Sequence, residues 1–430
     1  MAGPFFSFSG REGFRMPNTA PSALSATPKP AEAVNDLSTL LAKVPDLAAE
    51  IAKEAARRDL ERELPFEAFR LFKEAGLGAL RIPVALGGPG GSVADYIETI
   101  MAIGAADSNV AHALRSHFNF TESLILSPST AIDRTQLSRV LSGKLFGGAH
   151  TEQGTKRPGE VTTRLTRSGD SYRLNGRKWY ATGTAFSDFA SFSAKNDDGE
   201  FVSLLLPVNR PGITILDDWD GMGQRLTASG GVLLEDVEVL PHEISTRGLN
   251  TLVGRHTSTL RQLHLAASMA GAVRGALAEG TGYVRRQARS AAHSAAETAS
   301  ADPFVQKILG EVAAGSFAVD TLIRESARAL DKTAAAFAAA DPQALETALI
   351  ESALTTARTQ IVASQIALAA ATNVFELGGG SATSRHLNLD RHWRNIRTVL
   401  NHNPLLHKAR VVGDFYINGT TTHLEEGKVF

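Results

Sequence analysis

The sequence predicts an α+β fold in which helices come first, a β-domain follows, and a helical bundle closes the chain. Three observations predict it. Apolar residues recur three and four apart from Asp36 to about Lys144, the period of amphipathic helices. From Leu145 to about Ile244 the pattern changes to short alternating or β-branched runs separated by turn residues. From about Thr257 to Asn401 long alanine-rich helical stripes return. At 430 residues the chain can bury a large core divided over two or three domains.

The elements follow in order. Residues 1–34 are rich in Pro, Ser, Ala and Thr and read as a disordered leader, within which Met16 offers an alternative start. The opening MAGPFFSFSGREGFRM lacks the long apolar stretch of a secretory signal. An N-terminal α-helical domain over 35–144 is carried by NDLSTLLAKVPDLAAEIAKEAARR and LPFEAFRLFKEAGLGAL, after which GGPGG at 87–91 punctuates the chain before a second helical pair from Ser92. The central β-domain, 145–245, is built from VTTRLT, SYRLNG, FASFSA, FVSLLLP, GITIL and GVLLEDVEV, with SGDS and NDDGE as turns. A C-terminal α-helical bundle and tail occupies 246–430, and its apolar stripes suit four packed helices.

Composition removes several kinds of function. Lys and Arg number 44 against 45 Asp and Glu, so no electrostatic footprint for nucleic acid or an anionic membrane is present. A small-molecule substrate is the expectation instead. With no cysteine, disulfides, thiolate metal sites, iron-sulfur clusters and cysteine nucleophiles are all excluded. No apolar run approaches the roughly 20 residues of a membrane helix, and a cytoplasmic location fits. The chain has no HExxH, its His386/His392 and His402/His407 spacings do not suit a zinc pair, and it has no GxSxG elbow. The GGPGG loop lacks the Lys-Ser/Thr of a P-loop. No GxGxxG follows a strand and opens a helix, so reducing equivalents must come from another protein.

The runs HTEQG (150–154), GDSYRLNGRKWYATG (169–183), GMGQRLTASG (221–230), LEDVEV (234–239) and GGGS (378–381) stand in the order of the successive signatures of the acyl-CoA dehydrogenase superfamily. The chain resembles that superfamily over about residues 36–415. The resemblance implies an acyl-CoA dehydrogenase-like fold, a flavin between the β-domain and the bundle, and a homotetramer.

Within the superfamily, dehydrogenases remove an α-proton with a glutamate, and the register of RNIRTVLNHNPL puts Asn403 at that position. An amide cannot act as a base. The other known location, near the start of the first bundle helix, reads TSTLRQLH (257–264) and has no carboxylate. DRHWRNIRTVLNHNP (390–404) resembles instead the flavin-dependent monooxygenase branch of the dibenzothiophene monooxygenases and sulfur-acquisition oxidoreductases. That likeness implies His402 as catalytic histidine, with Val399 standing where the branch carries another histidine. It implies His117, in SHF, as a second pocket histidine, Trp219 as a pocket wall beside Asn403, and Thr182, in WYATG, against the flavin N5. Thr151 would touch the isoalloxazine ring, Arg289 in YVRRQAR would hold the flavin phosphate across a subunit interface, and Ser381 would approach it from the Gly-rich turn. For Arg394 and Arg397 the residues themselves suggest pairing with Asp390 or another carboxylate.

The reaction so implied is that of a two-component monooxygenase. Reduced FMN from a separate NAD(P)H-dependent flavin reductase meets dioxygen, forms a C4a-hydroperoxide, and oxygenates a small organosulfur or nitrogen-containing substrate. FAD is the alternative cofactor, although the Arg-Phe-Gly pattern that seats its adenine half is absent after Tyr283. Two other readings stay open at this point: an acyl-CoA dehydrogenase with a displaced base, and a catalytically silent flavin-fold protein. No metal ligand set is expected.

Overall fold

The computed structural model describes residues 36–126, 131–157, 159–245, 251–290, 292–339, 341–402 and 404–424. The expected leader, its Met16 and Asn403 lie outside the described residues. The described residues form two compact units: a sheet unit of 147–220 and 228–245, and a helical unit of 36–146, 221–227 and 251–424.

The helical unit begins with α1 (Leu37–Ala42), α2 (Val44–Lys53), α3 (Ala55–Glu61), α4 (Phe66–Ala75), α5 (Val93–Ala106), α6 (Ser108–Ala113), α7 (Arg115–Leu126) and α8 (Ala131–Leu141). Local signals fix several of these ends. Ser92 and Asp95 form a reciprocal capping box at the start of α5, and Gly76, at φ 77°, stops α4 in the left-handed region that favours glycine. Between α5 and α7 the chain makes a tight corner, where the Asp107 carboxylate caps α6 through the Asn109 N–H.

Eight strands form the sheet: β1 (Phe146–Ala149), β2 (Arg164–Ser168), β3 (Ser171–Lys178), β4 (Phe189–Lys195), β5 (Phe201–Pro207), β6 (Ile213–Ile215), β7 (Val232–Val239) and β8 (Ile244–Ser245). Their order is β6-β7-β3-β2-β4-β5-β8, with β1 against β4. Along that order neighbours run antiparallel except β2 and β4, which are parallel. Alternation in β5 buries Val202, Leu204 and Leu206, which join Leu174, Phe192, Leu234 and Val237 in one core.

The bundle consists of α9 (Leu252–Arg286), α10 (Pro303–Ala339), α11 (Pro342–Asn373), α12 (Asp390–Leu400) and α13 (Leu405–Asn418). Small residues let its helices approach closely. A Cβ on Gly271 of α9 would lie 2.6 Å from the Gly104 backbone of α5, so position 271 admits no side chain without a shift. Among the described residues no helix is long and apolar enough to cross a membrane.

The sheet unit contains a buried ion pair that the sequence did not announce. Glu152, within HTEQG, takes the Lys178 ammonium at 2.6 Å, the Thr162 and Thr163 amides at 2.7 and 3.1 Å, and the hydroxyls of both threonines. Burial alone would raise the Glu152 pKa, yet Lys178 and the threonine donors hold it down to about 2. Burial also pulls the Lys178 ammonium below its usual value despite its partner. The pair is thus compensated charge inside a core, and removing one member strands the other.

Glu152→Ala should cost about 3–5 kcal/mol of unfolding free energy, the range for breaking a buried pair, as read by urea denaturation. The contribution of Glu152 is complete above the ordinary carboxylate pKa of about 4.3 and is lost as pH falls toward 2. An unchanged denaturation midpoint in the variant would show the pair to be incidental.

Candidate active site

The helical unit places a chain of polar side chains where residues 221–227 meet α6 and α12. Gln224 adopts φ 51°, a left-handed conformation uncommon outside glycine, and its N–H donates to Asn395 Oδ1 at 2.6 Å. Just before it, Gly223 lies so close to α12 that a Cβ would fall 2.0 Å from the Arg394 carbonyl. The Gln224 amide nitrogen donates to Ser108 Oγ at 3.3 Å, which turns Oε1 toward His112 Nδ1 at 3.2 Å. Since that oxygen only accepts, His112 carries its proton on Nδ1. Its Nε2 is left buried without a hydrogen-bond partner.

Burial holds the His112 imidazole well below the usual range, Arg115, His402 and His264 act in the same direction, and the Gln224 bond opposes them. His402 follows α12, its side chain exposed, and its ring lies 6.3 Å from that of His112 in an edge-to-face arrangement. Val399, at the position of the family's other histidine, is buried and lines a cavity of about 10 Å³ with Met269, Leu265, Leu405, Gln262 and Gln360. That space admits about one water.

His117 is 1% exposed; Nε2–H donates to the Gly78 carbonyl at 2.9 Å, and Nδ1 accepts from the Phe146 N–H at 3.3 Å. Both ring nitrogens are hydrogen-bonded to the backbone. Arg394 behaves as expected, pairing with Asp390 and with Asp59, both at 2.7 Å. Arg397 does not: it makes no ion pair among the described residues.

Farther along the bundle, Arg289 lies just beyond the end of α9, exposed and without an ion pair among the described residues. Ser381 is also exposed, and its turn packs on the same region, since a Cβ on Gly378 would fall 2.3 Å from the Tyr283 hydroxyl. An unpaired guanidinium and an open Gly-rich turn, with Tyr283 near both in sequence or space, fit a phosphate group.

In the sheet unit, the Trp179 N–H donates to the Thr151 carbonyl at 2.8 Å, joining HTEQG to WYATG, while the Thr151 side chain is exposed. Thr182 is buried and shares a 2.7 Å hydrogen bond with Ser229 Oγ. Beside it, Tyr180 is 54% exposed at φ 58°, and its ring meets half-buried Trp219 edge-on at 6.0 Å. A bulky residue in the left-handed region is strained, and such strain gathers where a ligand is held. An exposed aromatic face next to a hydroxyl pair fits a planar heteroaromatic ring. His112, Gln224, Asn395 and Ser229 were not singled out from the sequence; the unbroken burial of Ser108–Ala113, polar residues included, is the trace His112 leaves there.

Three parts of the chain match domains of one family: acyl-CoA dehydrogenase N-terminal domain at 38–144, middle domain at 148–237 and C-terminal domain at 263–405. A probable FMNH2-dependent monooxygenase, SfnC of Pseudomonas putida, is 28% identical over 382 residues, covering 88% of this chain and 94% of its own. The FMN-bound structure of TdsC, a dibenzothiophene monooxygenase of Paenibacillus sp. A11-2, is 27% identical with a TM-score of 0.77 and covers 88% and 98% of the two chains. Methanesulfinate monooxygenase MsuC of Pseudomonas fluorescens is 26% identical with a TM-score of 0.79, covering 88% and 97%.

The buried imidazoles make folding sensitive to acid. His264 is pushed down to about 3, chiefly by burial, and His112 is also depressed, so the unfolded chain binds more protons as pH falls through about 6.5. Stability should be complete above that pH and fall below it by about 1.4 kcal/mol per pH unit for each histidine. In urea titrations His112→Gln should flatten this slope by about one proton. An unaltered slope would mean that His112 titrates normally in the fold.

Proposed function

The chain belongs to the acyl-CoA dehydrogenase family, and on that premise we propose that it is an FMN-dependent monooxygenase that acts on a small organosulfur compound, with a separate NAD(P)H-flavin reductase supplying reduced FMN. The observation that carries this reading is the edge-to-face contact of His112 with His402 at the end of α12, next to the position where a dehydrogenase would carry its glutamate. Proton abstraction beside a thioester needs a base in contact with the carbon. Asn403 and the run TSTLRQLH supply none. The named relatives, an FMNH2-dependent enzyme and two that act on sulfur compounds, support the same reading.

Reduced FMN, when bound, supplies the electrons that activate dioxygen. The protein's own groups do the rest. Arg289 and the turn at Ser381 grip the phosphate, with Arg289 reaching across a subunit interface in a homotetramer. Thr151, Tyr180 and Trp219 border the ring. Thr182, which shares a hydrogen bond with Ser229, would keep a lone pair on its hydroxyl to accept from the N5–H of the reduced ring. His402 hydrogen-bonds the oxygen to be delivered and provides the proton that accompanies transfer. Asn403, beside it, contributes to the substrate pocket in place of a base.

His402→Ala should fold and bind reduced FMN, because the side chain lost is exposed and the phosphate grip at Arg289 is intact. Oxygen transfer should fall by about 100-fold or more, the scale for removing a positioned acid-base group, while hydrogen peroxide release rises. The assay supplies FMN, NADH and a flavin reductase and follows product and peroxide together over a panel of sulfides, sulfones and sulfinates. Undiminished product in the variant would reduce His402 to a bystander.

A further inference from the structure

The His112 ring is held at one nitrogen only. Gln224 Oε1 takes its Nδ1–H at 3.2 Å. That amide cannot be turned over, because its nitrogen donates to the Asn395 carbonyl at 3.5 Å as well as to Ser108 Oγ at 3.3 Å, and a carbonyl only accepts. The imidazole therefore keeps its proton on Nδ1 and a lone pair on Nε2. His112 is 5% exposed, and Nε2 is buried with no hydrogen-bond partner among the described residues. A bare acceptor in a core is destabilising, so a donor that reaches it is favoured.

Two neighbouring donors are already engaged. His264 on α9 gives its Nε2–H to the Ala111 carbonyl at 2.7 Å, so its Nδ1 accepts, and it accepts from the Tyr96 hydroxyl of α5. Arg115, three residues on at the start of α7, makes no bond to Nε2 either. What meets His112 is the ring of His402, edge-to-face with 6.3 Å between centres. Two imidazoles joined by a hydrogen bond of about 3 Å stand roughly 1 Å closer than that. The His402 side chain is exposed just past the end of α12, so it can close the gap without repacking the core.

We propose that His112 is the positioning residue of His402: its Nε2 accepts an N–H of the His402 ring and so fixes which nitrogen of His402 releases a proton during oxygen transfer. With one N–H held by a neighbour that only accepts, the His402 imidazolium gives up its proton from the other nitrogen. That proton goes to the oxygen being delivered, and the neutral ring left behind already has the tautomer that His112 requires. Being exposed, it regains a proton from solvent. The role in oxygen transfer rests on the monooxygenase reading; the bond between the two imidazoles does not.

Two measurements test this, one of them without turnover. In magic-angle-spinning 15N spectra of FMN-loaded protein labelled in its histidine rings, the His112 signals are identified by their loss in His112→Gln. They should show a protonated Nδ1 and a hydrogen-bonded Nε2, and His402→Ala should move the Nε2 signal to that of a bare acceptor. An Nε2 signal that is the same with and without His402 overturns the proposal, as does one that moves in Arg115→Met instead. In the assay with FMN, NADH and a flavin reductase, His112→Leu should lower oxygen transfer by about 10-fold, the scale of one hydrogen bond, with FMN affinity unchanged. His112→Gln, whose side-chain oxygen also accepts, should recover most of that loss. In the His402→Ala background His112→Leu should change nothing further, since the group it acts through is gone. An equal loss in both backgrounds overturns the proposal and makes His112 a packing residue. Should the Leu variant fold poorly, the spectra of wild type and His402→Ala decide alone. A bond between the rings without oxygenation of any compound in the panel would leave the bond standing and remove the monooxygenase reading.

Discussion

The hydrogen bond from the Gln224 amide to Asn395 Oδ1, at 2.6 Å, is the constraint on which the helical site depends. It holds a non-glycine residue at positive φ, a conformation that persists only when its surroundings over-determine it. Gly223 admits the approach to α12, Leu226 N–H is tied to Asn109 Oδ1 on α6 at 3.1 Å, and Arg394 reaches back to the Met222 carbonyl at 3.2 Å. With the segment fixed at both ends, the Gln224 side chain has one orientation. That orientation decides the His112 tautomer, and the tautomer decides which nitrogen is left to meet a ligand.

The same economy of charge runs through the molecule. Glu152 and Lys178 in the sheet unit, and Arg81 and Glu122 in the helical unit, are buried ionisable groups paired with each other. Such groups hold one arrangement and offer nothing to a substrate. At His112 the accounting differs: its Nε2 is buried without a hydrogen-bond partner among the described residues.

The fold was legible because its signals are local. Helical period in LPFEAFRLFKEAGLGAL, alternation in FVSLLLP and the turn residues between strands each report on their own neighbours, and the result was helix, sheet and bundle in the order found. What could not be read was long-range. Nothing in GMGQRLTASG says that 221–227 would join the helices while Ala228 and Ser229 stay with the sheet, because the reason is Asn395, some 170 residues away in sequence. His117 was chosen by alignment to a pattern, but a pattern does not reveal that Gly78 and Phe146 occupy both ring nitrogens. Glu152 was passed over for the neighbouring Thr151, since a carboxylate in a strand-rich segment looks like surface until Lys178 is found beneath it. Arg394 was readable, its Asp390 partner being one helical turn away.

Family membership alone allows two chemistries, one that takes a proton from carbon and one that delivers oxygen. The groups at the end of α12 separate them, and one measurement tests the separation most directly. Protein loaded with oxidised FMN is mixed anaerobically with acyl-CoA thioesters of short, medium and long chains, and the visible flavin absorbance is followed. The account predicts that the flavin stays oxidised with every thioester, because Asn403 and the run TSTLRQLH hold no carboxylate to take the α-proton. Bleaching by any one of them would contradict it and return the protein to the dehydrogenases.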